Sequence, residues 1–229
     1  MTAPHAHGAP ANGAPPPPPP PPQVRASSLL TVLAAGGAIA GFLIVVVYGW
    51  AAPIIEHNKA VALQGAIGEV LKHPTQVDTL FVSGDTLGTQ LPAGEDPKRV
   101  ERIYLGYDAD HRPIGYAIAV GEPGFSDVVR VIFGYDPATK QLIGMKVIES
   151  KETPGLGDKI EKDSAFVQQF RGALTPLAGV KPDRHKAGDK TQIDMITGAT
   201  ISSRAVIRII NNALTRLGPA LERYSQEAK

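Results

Sequence analysis

The chain has 229 residues, a formal charge of +1, and 20% charged and 43% hydrophobic residues. That balance excludes a disordered polyelectrolyte and a many-span transporter, and near-neutrality argues against nucleic acid, whose binding rests on Lys/Arg contacts to phosphate. Cysteine is absent, which excludes disulfides, Cys-ligated zinc, iron–sulfur clusters, Cys-attached haem and a thiol nucleophile.

Residues 1–27 read as a proline-rich tail. Ten of the 21 prolines precede Gln23, eight of them in the unbroken run 15–22. Such a segment has too little apolar surface to offset chain entropy, so a solvated spacer with local polyproline II structure is expected. A ligand for a proline-recognising domain is the other reading. His5 and His7 are too few for a metal tract.

Residues 28–52 are expected to form a transmembrane helix. No charged residue occurs between 29 and 50. That stretch makes about 33 Å of helix, enough for a hydrocarbon core of about 30 Å. A run this long and apolar on every face argues against the other reading, a buried soluble helix. A cleaved signal peptide would have a shorter apolar run, about 7–15 residues, nearer the start. Tyr48 and Trp50 fall where interfacial aromatics belong. Gly37 and Gly41 form a GxxxG pair, read either as a close-packing face or as ordinary membrane-helix composition. Arg25 precedes the span and no acid occurs before Glu56, so the positive-inside bias places the N-terminus in the cytoplasm and the remainder outside.

Residues 53–229 form the expected domain. From Glu56 onward the chain carries 22 of the 23 basic residues and all 22 acidic ones, a formal net charge of zero. Ile55, Leu63, Ile67, Val70 and Leu71 recur at near-helical spacing, which predicts a juxtamembrane helix over 53–72, ended by His73-Pro74. Residues 83–99 read as loop or one short strand. Strands are predicted at 102–107 and 114–120, then at 128–135 and 142–150, each pair a hairpin. Between the hairpins, 121–127 (GEPGFSD) suits a tight surface loop. A helix is predicted over 158–172, a basic loop over 173–191, and a long helix over 202–224, kinked or interrupted at Gly218-Pro219. The fold class is α+β, an antiparallel sheet with flanking helices.

Two motifs stand out. Glu152-Thr153-Pro154-Gly155-Leu156-Gly157-Asp158-Lys159 lies between a predicted strand and helix. Its glycines allow close backbone approach, and Glu152 and Thr153 offer side-chain hydrogen bonds. It lacks the third glycine of a dinucleotide fingerprint and the GK[ST] of a P-loop. A structural turn and a ligand loop both remain open. The second motif, Asp194-Met195-Ile196-Thr197-Gly198-Ala199-Thr200-Ile201-Ser202-Ser203, opens the last helix. Its Thr and Ser residues read either as capping groups or as an anion site at a helix start, with Lys159, Arg204 and Arg208 as charge partners.

The stretch DMITGATISS resembles the flavinylation motif Asp-x-Leu/Ile-Ser/Thr-Gly-Ala-Thr-x-Ser/Thr, and KETPGLGDKI resembles the ETPGLG loop of the same family. That family is the FMN-binding G subunit of the Rnf electron-transport complex, related to the C subunit of the Na⁺-translocating NADH:quinone reductase. The segment APIIEHNKAVALQGAIGEVL is similar to the one that follows the single anchor helix there. The likeness runs from about residue 29 to the C-terminus; the proline-rich tail departs from it. A His often precedes ETPGLG in the family, whereas Ser150 and Lys151 stand here, so no role for that His carries over.

The resemblance implies FMN joined through its phosphate to Thr200, attached by a separate flavin transferase. Thr197, Gly198 and Ala199 would form the turn that exposes the Thr200 hydroxyl. Asp194 would position phosphate and metal during attachment. Glu152, Thr153, Leu156 and Gly157 would lie against the isoalloxazine ring; Lys159 remains a charge partner read from the residue pattern alone. No catalytic acid–base residue and no resident metal ligand is implied. The expected protein is a single-pass subunit of the bacterial inner membrane, its flavin domain periplasmic. Its partners would be the other subunits of a complex coupling ferredoxin–NAD electron transfer to Na⁺ or H⁺ translocation. Length and the short loop between motifs lean to Rnf over the quinone reductase. A carrier for another membrane reductase and a flavin-free interaction module are the readings of other classes.

Overall fold

The computed structural model describes residues 25–227 except 93 and 98, so the tail reading lies outside the described residues. The chain divides into two compact units between Ile54 and Ile55.

Of the described residues of the first unit, 26–54 are helical. Helix α1 covers Ala26–Val70, 45 residues, and takes in Pro53. Sequence reasoning predicted two helices here, and the structure joins them. Pro53 forfeits one backbone bond to the Gly49 carbonyl. Strong formers on either side, Ala51-Ala52 and the 59–63 run, carry the helix across. Residues 26–50 are exposed on every face, and α1 is long and apolar enough to cross a membrane. A Cβ at Gly37 or Gly41 would meet nothing within 4 Å.

The second unit is built on a six-stranded antiparallel meander in the order β2-β1-β3-β4-β5-β6. Its strands are β1 (Gln76–Ser83), β2 (Thr86–Gly88), β3 (Arg102–Tyr107), β4 (Pro113–Pro123), β5 (Val128–Asp136) and β6 (Gln141–Glu149). The two predicted hairpins are present, with β4 paired to β5 from Tyr116↔Tyr135 to Pro123↔Val128. Period-two alternation sorts the side chains to two faces. Val129, Val131, Phe133 and Tyr135 of β5 and Tyr116 and Ile118 of β4 belong to the main core. Ala117 and Ile132 face the other way and pack with Ala66, Ile67, Val70 and Leu71 at the end of α1. Glycine makes that second contact possible: a Cβ on Gly134 would lie 2.5 Å from the Val70 carbonyl oxygen.

Helix α4 (Thr200–Glu227) covers the main core face, burying Val206, Ile209, Ile210, Ala213, Leu217 and Leu221. It passes through Pro219 without interruption, contrary to expectation. Its buried stripe continues on both sides of that residue, so one lost bond to the Thr215 carbonyl is tolerated.

Strand β4 runs on to Pro123, so the expected loop 121–127 shortens to 124–127. Strand β1 went unpredicted: only Leu80 in it is fully buried, so its alternation is faint. The predicted helix 158–172 is two short ones, α2 (Lys159–Lys162) and α3 (Ser164–Gln168). Asp163 separates them in extended backbone, and its carboxylate accepts from Ala165 N at 2.9 Å and Phe166 N at 3.2 Å, capping α3. The expected loop 173–191 holds β7 (Ala178–Val180) and a 3₁₀ turn at Pro182–Arg184; β7 pairs in parallel with β8 (Gln192–Asp194).

Candidate functional site

The two motifs meet at the start of α4. The 150–158 loop leaves β6 and turns at Gly155, whose φ of 76° suits glycine. Thr153 O accepts from Leu156 N at 3.2 Å and from Asp158 N at 3.4 Å, closing the turn. The second motif turns at Gly198, with φ 85°, and Ala199 N donates to Ile196 O at 3.0 Å. A Cβ on Gly198 would stand 3.8 Å from Leu156 Cδ2, which puts the tips of the two loops side by side.

Glu152 ties them together from below. It is 5% exposed, the one buried charged side chain among the described residues. Its Oε2 accepts from Ser202 Oγ at 2.9 Å. Its Oε1 accepts from Phe125 N at 2.7 Å and Ser126 N at 3.1 Å. Three segments distant in sequence therefore share one carboxylate. Gly124 and Gly157 make room for it, since a Cβ on either would collide with a Glu152 carboxylate oxygen. Thr153 Oγ1 adds a contact to Ser126 Oγ at 3.3 Å.

Thr200 is the first residue of α4 and half-buried. Its hydroxyl reaches only Ile196 O, at 3.5 Å, too far to be held by that contact. The first amides of α4 are the orphan donors that every helix start leaves, at the positive end of the helix dipole. Ser203, fully buried, donates from Oγ to Ala199 O at 2.9 Å and accepts from Ile196 N at 3.1 Å, so the turn before Thr200 is pinned from within the helix. Thr197 and Gly198 are exposed and Ala199 is buried.

Of the cations named from sequence, Arg204 is exposed and makes no ion pair among the described residues. Arg208 is taken up by Glu122 at 3.2 Å and by the Pro123 carbonyl. Lys159 is half-buried at the start of α2, also without an ion pair among the described residues. Its neighbour Asp158 is bonded to Lys162 at 2.7 Å, which holds that carboxyl below its usual value. Asp194 is turned elsewhere. Its carboxylate pairs with His185 Nδ1 at 2.8 Å, while its backbone is held by Gln169.

Sequence reasoning missed two side chains. Phe125 is 63% exposed and Ile201 is 55% exposed, as Leu156 is at 50%. Phe125 sits in the loop hung from Glu152, and Ile201 follows Thr200. An aromatic in an otherwise Gly/Pro/Ser/Asp loop was the available signal. Exposed apolar groups around a helix start, with Arg204 a turn away, suit a flat apolar ring carrying a phosphate.

An FMN-binding domain family matches residues 124–215, the segment that begins at the Phe125 loop and includes both motifs. The chain is 31% identical over 191 residues to the G subunit of the ion-translocating oxidoreductase complex of Yersinia pestis, covering 79% of this chain and 86% of the relative. It is 34% identical to the corresponding G subunit of Shewanella baltica, over 59% of this chain and 60% of that one. In fold it is similar to NqrC of Shewanella oneidensis, with a TM-score of 0.61 and 16% identity over 73% of this chain and 99% of that one. The C subunit of the Na⁺-translocating NADH-quinone reductase of Parabacteroides distasonis gives a TM-score of 0.51 and 23% identity, over 63% and 77% of the two chains. From the shared fold, the matched FMN-binding segment and the extent of likeness to the Yersinia protein, the chain belongs to the family of ion-translocating oxidoreductase complex G subunits.

Proposed function

We propose that this chain is the electron-carrying flavin subunit of an ion-translocating redox complex of the Rnf type, holding FMN covalently through a phosphoester on Thr200. The observation that carries the proposal is the convergence of the two motifs on one helix start, through the Glu152–Ser202 bond and the approach of Leu156 to within 3.8 Å of where a Cβ on Gly198 would stand. The residues present fit the group. Thr200 offers a weakly held hydroxyl. The helix start favours the phosphate charge, with Arg204 as the unpaired cation nearest in sequence among the described residues. Leu156, Phe125 and Ile201 supply exposed apolar surface for the ring.

FMN would supply the redox chemistry, and the protein's part is to hold, orient and tune it. Thr197 and Gly198 leave the approach to Thr200 open, while Ser203 fixes the turn. Thr153 and Gly157 shape the neighbouring loop, and Lys159 adds positive charge. Asp194, engaged with His185, would have to release that partner to serve attachment by a flavin transferase. In this reading α1 crosses the inner membrane once, electrons pass to and from neighbouring subunits, and the complex couples ferredoxin–NAD electron transfer to Na⁺ or H⁺ movement.

The test is in-gel flavin fluorescence after denaturing electrophoresis, with the full chain co-expressed beside a flavin transferase. A fluorescent wild-type band that disappears in Thr200→Ala is expected. A dark wild-type band, with a known flavinylated protein glowing in the same cells, would overturn the proposal.

A further inference from the structure

Glu152 was expected to lie against the flavin ring. In the structure both of its carboxylate oxygens are engaged by neighbouring segments of the chain. All its partners are neutral donors: two backbone N–H groups and one hydroxyl. No Lys or Arg pairs with it among the described residues, although it is 5% exposed. A buried carboxylate without a counter-charge is costly unless its hydrogen bonds are complete. Here three donors engage both oxygens, and two glycines are arranged around it. A structural bridge between three segments could be made by a neutral side chain such as Gln, because Ser202 can accept as well as donate. The charge itself is therefore the feature that the packing does not explain.

We propose that Glu152 is a positioning and tuning residue. It latches the 124–127 turn, which carries the exposed Phe125, to the first turn of α4, and its unneutralised charge holds the reduction potential of the group on Thr200 low. The inference rests on the flavin reading above. Its physical basis is Coulombic: a fixed negative charge in a poorly solvated place opposes addition of an electron nearby, and the effect grows as the local dielectric falls. The hydrogen bond to Ser202, two residues from Thr200, keeps that charge close to the tether.

Three full-length chains decide it: wild type, Glu152→Gln and Glu152→Ala, each expressed both without and with the transferase. Amide hydrogen exchange on flavin-free samples reads the latch alone. Exchange at Phe125 and Ser126 is expected to rise at least tenfold in Glu152→Ala and to stay near wild type in Glu152→Gln. The flavin midpoint potential, by redox titration of visible absorbance, reads the charge. Glu152→Gln is expected to shift the reduction equilibrium about tenfold toward the reduced form, about +59 mV for a one-electron couple. Unchanged exchange in Glu152→Ala would overturn the latch. An unchanged or lowered potential in Glu152→Gln, with the loop still protected, would overturn the tuning. Absence of flavin from all three chains would sink the parent reading and the tuning with it, while the exchange data still decide the latch.

Discussion

At the scale of single residues, the loop after Glu152 shows how one pair sets the ends of a pH window. The Lys162 ammonium hydrogen-bonds Asp158 and depresses its carboxyl; the same contact raises Lys162 above its ordinary value. A depressed acid contributes stability that is present above its unfolded value of 3.8 and lost as pH falls through the folded value. A raised lysine contributes stability that is present below 10.5 and lost as pH climbs through its folded value. Lys162→Met is therefore expected to lower stability between these limits, with the deficit closing below Asp158's folded value and again in strong alkali. The pair is solvent-screened, so the effect is small. Urea unfolding across pH checks it, and a deficit that persists in strong acid would assign the effect to packing of the lysine stem.

At the scale of elements, the end of α1 lies on the outer face of the sheet because glycine permits it. Gly134 and Gly144 bring strands β5 and β6 under Val70, and Gly106 does the same for β3 under Leu71. A methyl at Gly134 would stand 2.5 Å from the Val70 oxygen and 3.1 Å from Ile143 Cβ. Backbone cannot yield as a flexible side chain can, so Gly134→Ala should cost about 2 kcal/mol and lower Tm by about 4–8 °C. Thermal unfolding of the full chain in detergent measures this; an unchanged Tm would mean that the helix end shifts freely on the sheet. These glycines also mark what sequence reading could reach. The hairpins and α4 were legible because their apolar residues repeat with the right period. β1 was not, since most of its residues are only partly covered. The parallel pairing of β7 with β8 depends on partners placed by the whole fold, and Asp163 looked like one more helical residue until its backbone was seen to break the run. Both site motifs were legible as segments. That Glu152 reaches Phe125 across 27 positions and Ser202 across 50 was not, because nothing local encodes either separation.

At the scale of the molecule, the remaining question is on which side of a membrane the flavin domain stands. Helix α1 has 45 residues, about twice the roughly 20 needed to cross. The charge-free stretch from 26 to 55 confines the crossing to its first part. The flanks differ in kind: a lone Arg25 on one side, then Glu56 ahead of Lys59 on the other, these last two only 3.8 Å apart and partly cancelling. Because acids contribute little to topology, orientation hangs on Arg25 and on how far Lys59 is offset by distance from the span. The expected outcome is a cytoplasmic N-terminus and an extracytoplasmic domain. An alkaline phosphatase fused after Lys229 should be active, and a fluorescent protein that matures only in the cytoplasm should be dark. Arg25→Gln should weaken this asymmetry, so a mixed population is expected if the retention signal is that single cation. A cytoplasmic C-terminus in the wild type would overturn the orientation and remove the physical reason for the proposed tether, since a diffusible flavin would serve in that compartment.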